Sequence, residues 1–504
     1  MHDLVVDDAV IVTMNARRDV VRGWIAIDAG EVTALGEGPT PPARERVDAS
    51  GGIVHPGFLS THQHSMDAPA RGAAGDARDF FDWLFGVYYA TVLGHSAVDA
   101  GRATALTAAD LARAGITTVV DCWGVGGVGT RRADECLAAS VRAAADSGLR
   151  WIVAPMVSDR LPPGWDRLLE DFPVAAADLV CPTGVAQGFA ERAFDLATGR
   201  VEVWGSVELP EMAGDTLLTG LEALVRARGA GFTTHLCASE PGAVDVTGER
   251  AVARLERHGL LRRGTVAAHL VFADADDRVA LARGGVGAAH CPAATMLLGG
   301  SSSPLGALRD AGIAIGLGLD NATLNATADM GAEVRQALMF DRVAGTGVAR
   351  ATAQQVFAHA TIDGARAIGR EDTLGSLEPG KRADLVLVDT DGPHIGPMGD
   401  PLLTLVWQAT AADVLMHGVD RGLIAGPELL CGSNMRGNQS FDDLRMRFDE
   451  LGSYREHGPG LPREHGFALG DHARIVTTIS DDAHHRFQNR RAVDRAGEQR
   501  LLYL

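Results

Sequence analysis

Six cysteines are scattered through 504 residues (Cys122, Cys136, Cys181, Cys237, Cys291 and Cys431), and no two form a C-x-x-C pair. That spacing excludes a zinc ribbon and a disulfide framework and suits reduced thiols. No apolar run approaches the roughly 18 to 20 residues of a membrane span, and the opening stretch from Met1 to Asp8 lacks the basic and apolar segments of a signal peptide. A cytoplasmic protein with no membrane partner is expected. Positive charge is also short: the formal net charge of -19 is the wrong sign for a nucleic-acid footprint. Small neutral or cationic substrates remain compatible. Lysine is scarcest of all, with Lys381 alone in the whole chain.

What is present is ample core, with 46% hydrophobic residues and a mean hydropathy of +0.04. Eight apolar strand-like runs alternate with helical patterns: Phe58 to His64, Thr117 to Trp123, Trp151 to Val157, Val201 to Leu209, Phe232 to Cys237, Thr265 to Val271, Val286 to Cys291 and Ile313 to Asp320. Several are near-continuously apolar, as buried parallel strands are. Ser96 and Asp99 offer capping oxygens before a helix over Ala100 to Ala114, and Gly115 ends it. The grammar repeats at Asp215 with Leu217 to Arg228, and at Pro304 with Leu305 to Ala311 before Gly312. Eight βα units in one block favour an α/β fold of the (β/α)₈ TIM-like barrel type over an open doubly wound sheet.

The flanks differ. Short β runs at 3–34, 383–389 and 413–425 predict a small β-sandwich composed from both chain ends. The expected organisation is residues 1–55 and 371–430 as the two parts of that sandwich, 56–370 as the barrel, and 431–504 as an extended tail. The tail, with a lone strand candidate at Arg474 to Ile479, is too poor in apolar residues for a core of its own. It is expected to pack on the barrel or on a neighbouring subunit of a homo-oligomer.

Candidate ligands fall where such a barrel puts chemistry, at the C-terminal ends of its strands. His62 and His64 end the first run, His235 lies near the end of the fifth, His269 and His290 near the ends of the sixth and seventh, and Asp320 ends the eighth. Residues i and i+2 of a strand share a face, so His62 and His64 begin a divalent transition-metal site that needs one or two further protein ligands plus water.

Several motifs then point to a family: P-G-F-L-S-T-H-Q-H (Pro56 to His64), A-R-G (Ala70 to Gly72), D-F-F-D-W-L-F (Asp79 to Phe85), A-G-I-T-T-V-V-D (Ala114 to Asp121), T-H-L-C (Thr234 to Cys237), A-A-H (Ala267 to His269), A-H-C-P (Ala289 to Pro292), G-L-G-L-D (Gly316 to Asp320) and G-S-L-E-P-G-K-R-A-D-L-V-L (Gly375 to Leu387). On these the chain resembles the amidohydrolase superfamily. The branch is that of cytosine, guanine and nucleoside deaminases and of triazine hydrolases such as atrazine chlorohydrolase and melamine deaminase. The resemblance runs from about Leu4 to Gly426, and the Asp79 to Phe85 stretch is most like the triazine hydrolases.

By matching position, the resemblance implies that His62, His64, His235 and Asp320 bind one metal ion, Zn²⁺ with Fe²⁺ as the alternative. It implies further that Asp320 receives the proton of the attacking water and that His269 stabilises charge on the attacked group. Binuclear members bridge two metals with a lysine at the end of the fourth strand. Here the fourth run has Glu202 and Glu208 but no lysine, which favours a mononuclear site and leaves a bridging glutamate open. Trp83, Gln63, Asn321 and His290 are candidate contacts for a flat heterocyclic substrate, and His55 is read as structural.

One position departs from the family. Deaminases of this branch carry H-x-x-E, in which the glutamate shuttles a proton to a ring nitrogen; in H-L-C-A-S-E (His235 to Glu240) that place is taken by Ala238. Loss of such a general acid costs roughly 10² to 10⁴ in rate. Glu240 recovers the role only if a bulge turns it inward. The leading expectation is therefore a hydrolase that cleaves a C-N or similar bond of a heterocycle or amide. A ring deaminase using Glu240 is the alternative, and a metal-dependent decarboxylase is the second.

Overall fold

In a computed structural model, residues 1–425 are described except 76, 78, 125–130, 240–247, 299–304, 345–349 and 420–421. The tail expected over 431–504, with its strand candidate, lies outside the described residues.

Five strands precede the barrel: β1 (His2–Val12), β2 (Val20–Asp28), β3 (Glu31–Gly36), β4 (Ala43–Asp48) and β5 (Ile53–Pro56). The barrel follows as β6 (Phe58–His64), β7 (Ile116–Trp123), β8 (Arg150–Val157), β9 (Val201–Val203) with β10 (Gly205–Val207), β11 (Phe232–Leu236), β12 (Thr265–His269), β13 (Gly287–His290), and β14 (Ile315–Leu317) with β15 (Asp320–Asn321). The chain ends its described part with β16 (Leu385–Val388), β17 (Val414–Val419) and β18 (Gly422–Ala425). Each of the eight apolar runs thus contains a barrel strand, and two of them are interrupted: the fourth at Trp204, the eighth between Leu317 and Asp320.

Every neighbouring barrel pair is parallel. The interrupted eighth strand makes the closure, because β14 pairs with β13 while β15 pairs with β6 through Asp320↔Gln63 and Asn321↔His64. Side chains sew the same seam: Thr61 Oγ1 donates to the Leu317 carbonyl at 2.9 Å, and Leu319 N–H donates to Ser60 Oγ at 3.3 Å. Close approach is allowed by small residues. A Cβ added at Gly316 would lie 2.3 Å from Thr61 Cγ2, and one at Gly318 would lie 2.8 Å from His62 Cβ. The lumen is filled by Leu59, Val120, Ile152, Ala154, Val266, Ala268 and Ala289, plugged by Ala365 and Ile368.

Ala97–Arg113 starts in the expected capping box between Ser96 and Asp99. Asp215 is not a cap: it is the first residue of the helix Asp215–Arg228, whose N-cap is Gly214 with no side-chain hydrogen bond, and the helix stops at Gly229 in the left-handed region, φ 61°. Both chain ends contribute to one eight-stranded sheet in the order β18-β17-β16-β5-β1-β2-β3, with β4 also on β1. Strand β1 is shared by β4 along its first half and β5 along its second, with a bulge between Val6 and Ala9. The bend lets the sheet wrap its own core of Leu4, Val6, Ile11, Ile25, Val54, Leu385 and others, forming the sandwich beside the barrel.

An ion pair ties this sheet to the barrel. Arg150 at the start of β8 reaches Asp384, which is 5% exposed, with Nε at 2.8 Å and Nη2 at 3.2 Å. Burial raises the Asp384 carboxyl above its usual range although the Arg150 guanidinium opposes the shift. Arg150→Ala is expected to destabilise the fold by about 3 kcal/mol, since it strips a buried carboxylate of its bidentate partner; chemical denaturation against the parent measures it.

Candidate active site

Strand β6 is buried at all seven positions and delivers His62 and His64 to the barrel mouth. There they meet Asp320: each Nε2 lies 3.5 Å from Asp320 Oδ1. His235, near the end of β11, completes a cluster with its Nε2 3.1 Å from that of His64. His269, the last residue of β12, stands with Nδ1 3.9 Å from Asp320 Oδ2. Four ring atoms and one carboxylate from strands one, five, six and eight therefore converge, in two overlapping groups that could each hold a metal ion: His62 with His64 and His235, and His62 with His269 and Asp320.

The protonation of these groups suits a cation. Burial lowers the pKa of His62 and His64 well below the ordinary histidine value, lowers that of His235, and pushes His269 down to about 3. All are then neutral. His235 Nδ1–H donates to the Glu208 carbonyl at 2.7 Å, which leaves its Nε2 a bare lone pair facing His64. His62 Nε2 is buried and, among the described residues, has no hydrogen-bond partner. Lone pairs and a carboxylate packed this closely repel or go unsatisfied unless a cation sits among them. Three imidazoles and one carboxylate form a donor set that suits Zn²⁺ or Fe²⁺.

Backbone strain marks the same mouth. Asp320 (φ 62°), His269 (φ 74°), Leu270 (φ 53°) and Cys237 (φ 50°) all occupy the left-handed region without being glycine. Such conformations persist where the surroundings over-determine them. For Asp320 those surroundings are visible: Gln63 Nε2 donates to its carbonyl at 2.9 Å, and the loop after it is held by Asp67. The Asp67 carboxylate, fully buried, accepts from Ala322 N (3.2 Å), Thr323 N (3.0 Å) and Thr323 Oγ1 (2.7 Å). Burial pushes its pKa up to about 6 against those hydrogen bonds. On His62 the far ring nitrogen, Nδ1, lies 3.3 Å from Cys122 Sγ. The thiol thereby fixes the ring that presents Nε2 to Asp320.

The other candidates are placed as follows. Gln63 contacts the Asp320 backbone, as above. Asn321 is buried beside it, its N–H donating to Asp320 Oδ1 at 2.9 Å. Trp83 is buried; its indole N–H donates to Thr323 Oγ1 at 3.0 Å and its ring packs 5.8 Å from Phe80 and 5.9 Å from Tyr88. His290 is buried 6.0 Å from the Phe340 ring. His55 Nδ1–H donates to the Pro56 carbonyl at 2.7 Å. Glu240 lies outside the described residues. Glu202 pairs with Arg370 at 2.7 Å, and Glu208 accepts from the Tyr89 hydroxyl, so among the described residues neither glutamate joins the metal cluster. Sequence reasoning passed over Asp67, Cys122 and Tyr88. The Tyr88 ring stands 5.8 Å from His64, in a stretch that reads as helix core.

Residues 53–426 match the amidohydrolase family. The 5-methylthioadenosine/S-adenosylhomocysteine deaminase of Symbiobacterium thermophilum is 30% identical over 433 residues, covering 84% of this chain and 94% of that protein. A crystal structure of an adenosine deaminase from Xanthomonas campestris with bound zinc superposes with a TM-score of 0.74 at 21% identity, covering 89% of this chain and 98% of the other. Atrazine chlorohydrolase from Arthrobacter aurescens, complexed with zinc, gives 0.75 at 20% identity, covering 89% and 99%.

Two outcomes are expected. Asp67→Asn turns an amide N–H₂ toward backbone donors and frees the Asp320 loop, so metal affinity falls by roughly 10-fold or more, read by competition with a chromophoric chelator. The second concerns pH. Burial raises Glu208 and Glu211 to about 7 and Glu333 to about 8. A carboxyl with a raised folded pKa holds its proton longer than in the unfolded chain, so its stabilising contribution fades as pH rises through the folded value. Buried histidines with lowered pKa act oppositely, but only below their ordinary value of about 6.5. Stability of the metal-free protein is therefore expected to decline from pH 6.5 to 8.5; urea titrations at the two values check it, and a rise would contradict the three carboxyls.

Proposed function

Because the chain belongs to the amidohydrolase family, we propose that it is a mononuclear metal-dependent hydrolase that cleaves a C-N bond at a carbon of a flat heterocycle. The single observation that carries this reading is the pair of overlapping triads at the barrel mouth, His62 with His64 and His235 and His62 with His269 and Asp320, with Asp320 Oδ1 3.5 Å from the Nε2 of both His62 and His64. In this reading those four residues hold one Zn²⁺ ion, with Fe²⁺ as the alternative. When bound, such an ion lowers the pKa of water to about 7 and so supplies a nucleophile at neutral pH.

The chain's own groups do the rest. Asp320 Oδ2, the oxygen that faces His269, takes the proton released during attack, because Oδ1 is the oxygen nearest His62 and His64. His269, held neutral by burial, donates a hydrogen bond to the atom on the attacked carbon where charge collects. The same burial keeps bulk water from the reacting atoms.

Relatives named as deaminases of adenine nucleosides support ring deamination, and zinc in the solved neighbours supports the choice of metal. Ala238, where the branch has its proton-carrying glutamate, argues for substrates that are activated already: an electron-poor ring losing an amine or halide, or an amide or lactam. Glu240 remains the residue on which the orthodox deaminase reading rests.

The test is metal removal and ligand substitution on aminopurine and aminotriazine substrates, followed by ammonia release. His62→Ala and Asp320→Ala are expected to lose stoichiometric metal and to reduce turnover by at least roughly 10³-fold. Chelation should abolish activity and Zn²⁺ restore it; full activity without metal overturns the reading, and CO₂ in place of ammonia would assign a lyase.

A further inference from the structure

The barrel mouth holds a second polar feature that the metal cluster does not use. Glu208 follows β10, the fourth-strand segment, and is buried. Its backbone carbonyl accepts from both the ring Nδ1 (2.7 Å) and the backbone N–H (3.3 Å) of His235, which pins its Cα beside a metal-site histidine. The side chain is free of that duty. It lines a small cavity together with Tyr88, Tyr89, Gly124, Met156, Ser158 and Leu179, contributed by the segment after β6, by the ends of β7, β8 and β10 and by a short helix after β8. Tyr88 is common to both features, since it lines this cavity and its ring stands 5.8 Å from that of His64.

The chemistry of the lining is one-sided. Glu208 is the acidic group of the lining, set among two phenols, a thioether, a hydroxyl, a leucine side chain and a glycine. Among the described residues one hydrogen bond reaches the Glu208 carboxyl, from the Tyr89 hydroxyl to Oε2. Oε1 has capacity for a further donor, and a buried carboxyl gains most from one. The cavity has room for a small group such as an amine and not for a ring, so a substituent or edge of a substrate is what it could take.

We propose that Glu208 and this cavity form the subsite that receives an N–H donor of the substrate, an exocyclic amine or a protonated ring nitrogen, on an edge away from the reacting carbon. The inference rests on the hydrolase reading above and narrows it. Rings that present a second amine are preferred, and rings that present only acceptor nitrogens there are disfavoured.

The experiment compares two matched probes, adenosine and 2-aminoadenosine, which share the 6-amino group and differ by one amine. Binding to the full-length, Zn²⁺-loaded protein is measured by titration calorimetry, and ammonia release separately. The parent is expected to bind the 2-amino compound roughly 10- to 100-fold more tightly. Glu208→Leu should erase that ratio, and Glu208→Gln, which keeps an acceptor oxygen without the charge, should retain part of it. Zinc content should be unchanged in both variants, because His235 is held by the backbone carbonyl; this separates loss of the subsite from collapse of the site. Equal affinity of the parent for the two probes, a ratio that survives in Glu208→Leu, or failure of both probes to bind overturns the proposal. A selective binder that releases no ammonia instead counts against deamination of that ring while leaving the subsite intact.

Discussion

The active-site geometry depends on how the eighth strand meets the first. A continuous eighth strand in ordinary β conformation would run past β6; instead the run breaks at Gly318, and Asp320 turns in the left-handed region to pair with Gln63. That turn is what carries a carboxylate to within 3.5 Å of two imidazoles on the neighbouring strand. Glycine at 316 and 318 makes the approach sterically possible, and Asp67 and Gln63 make it permanent by holding the backbone on either side. Closure of the ring and assembly of the ligand set are thus one event described twice.

Around that seam the polar groups divide into two kinds. One kind, the neutral imidazoles with unfilled lone pairs, is arranged for a cation and is costly without it. The other kind consists of buried carboxyls that are already partnered: Asp67 by the Thr323 loop, and Asp121 by Ser65 and the Trp151 indole. These second groups do not touch the reacting centre. They lock the segments that follow β6 and β15, so the ligands arrive pre-oriented and little reorganisation is needed when charge develops.

Much of this was readable before any coordinates. Parallel strands buried on both sides leave near-continuous apolar runs, and a metal-site histidine at the end of such a run breaks the pattern at a fixed place, which is why His62, His64, His235, His269 and Asp320 stood out. The sandwich from both chain ends was readable for the same reason, since short β runs with turn residues flank the block. What escaped notice was decided by partners far off in sequence. Asp67 is an unremarkable acid until Thr323 is beside it, and Cys122 is one more apolar strand residue until His62 Nδ1 meets its sulfur. Tyr88 and Trp83 each lie three residues from another aromatic, Phe85 and Phe80, a spacing shared by any helix core; their surroundings differ because one flanks His64 and the other ends on Thr323.

The seam has a bearing on how the protein comes to be loaded. The proposed metal ligands are drawn from the first, fifth and eighth strands, so no partly built barrel contains all of them. Without the eighth strand the candidate donors are the imidazoles of His62, His64 and His235, and the Asp320 carboxylate joins them only where β15 pairs with β6. Under the proposed reading, an ion held there would cross-link the first and eighth strands and so hold the seam of the barrel shut.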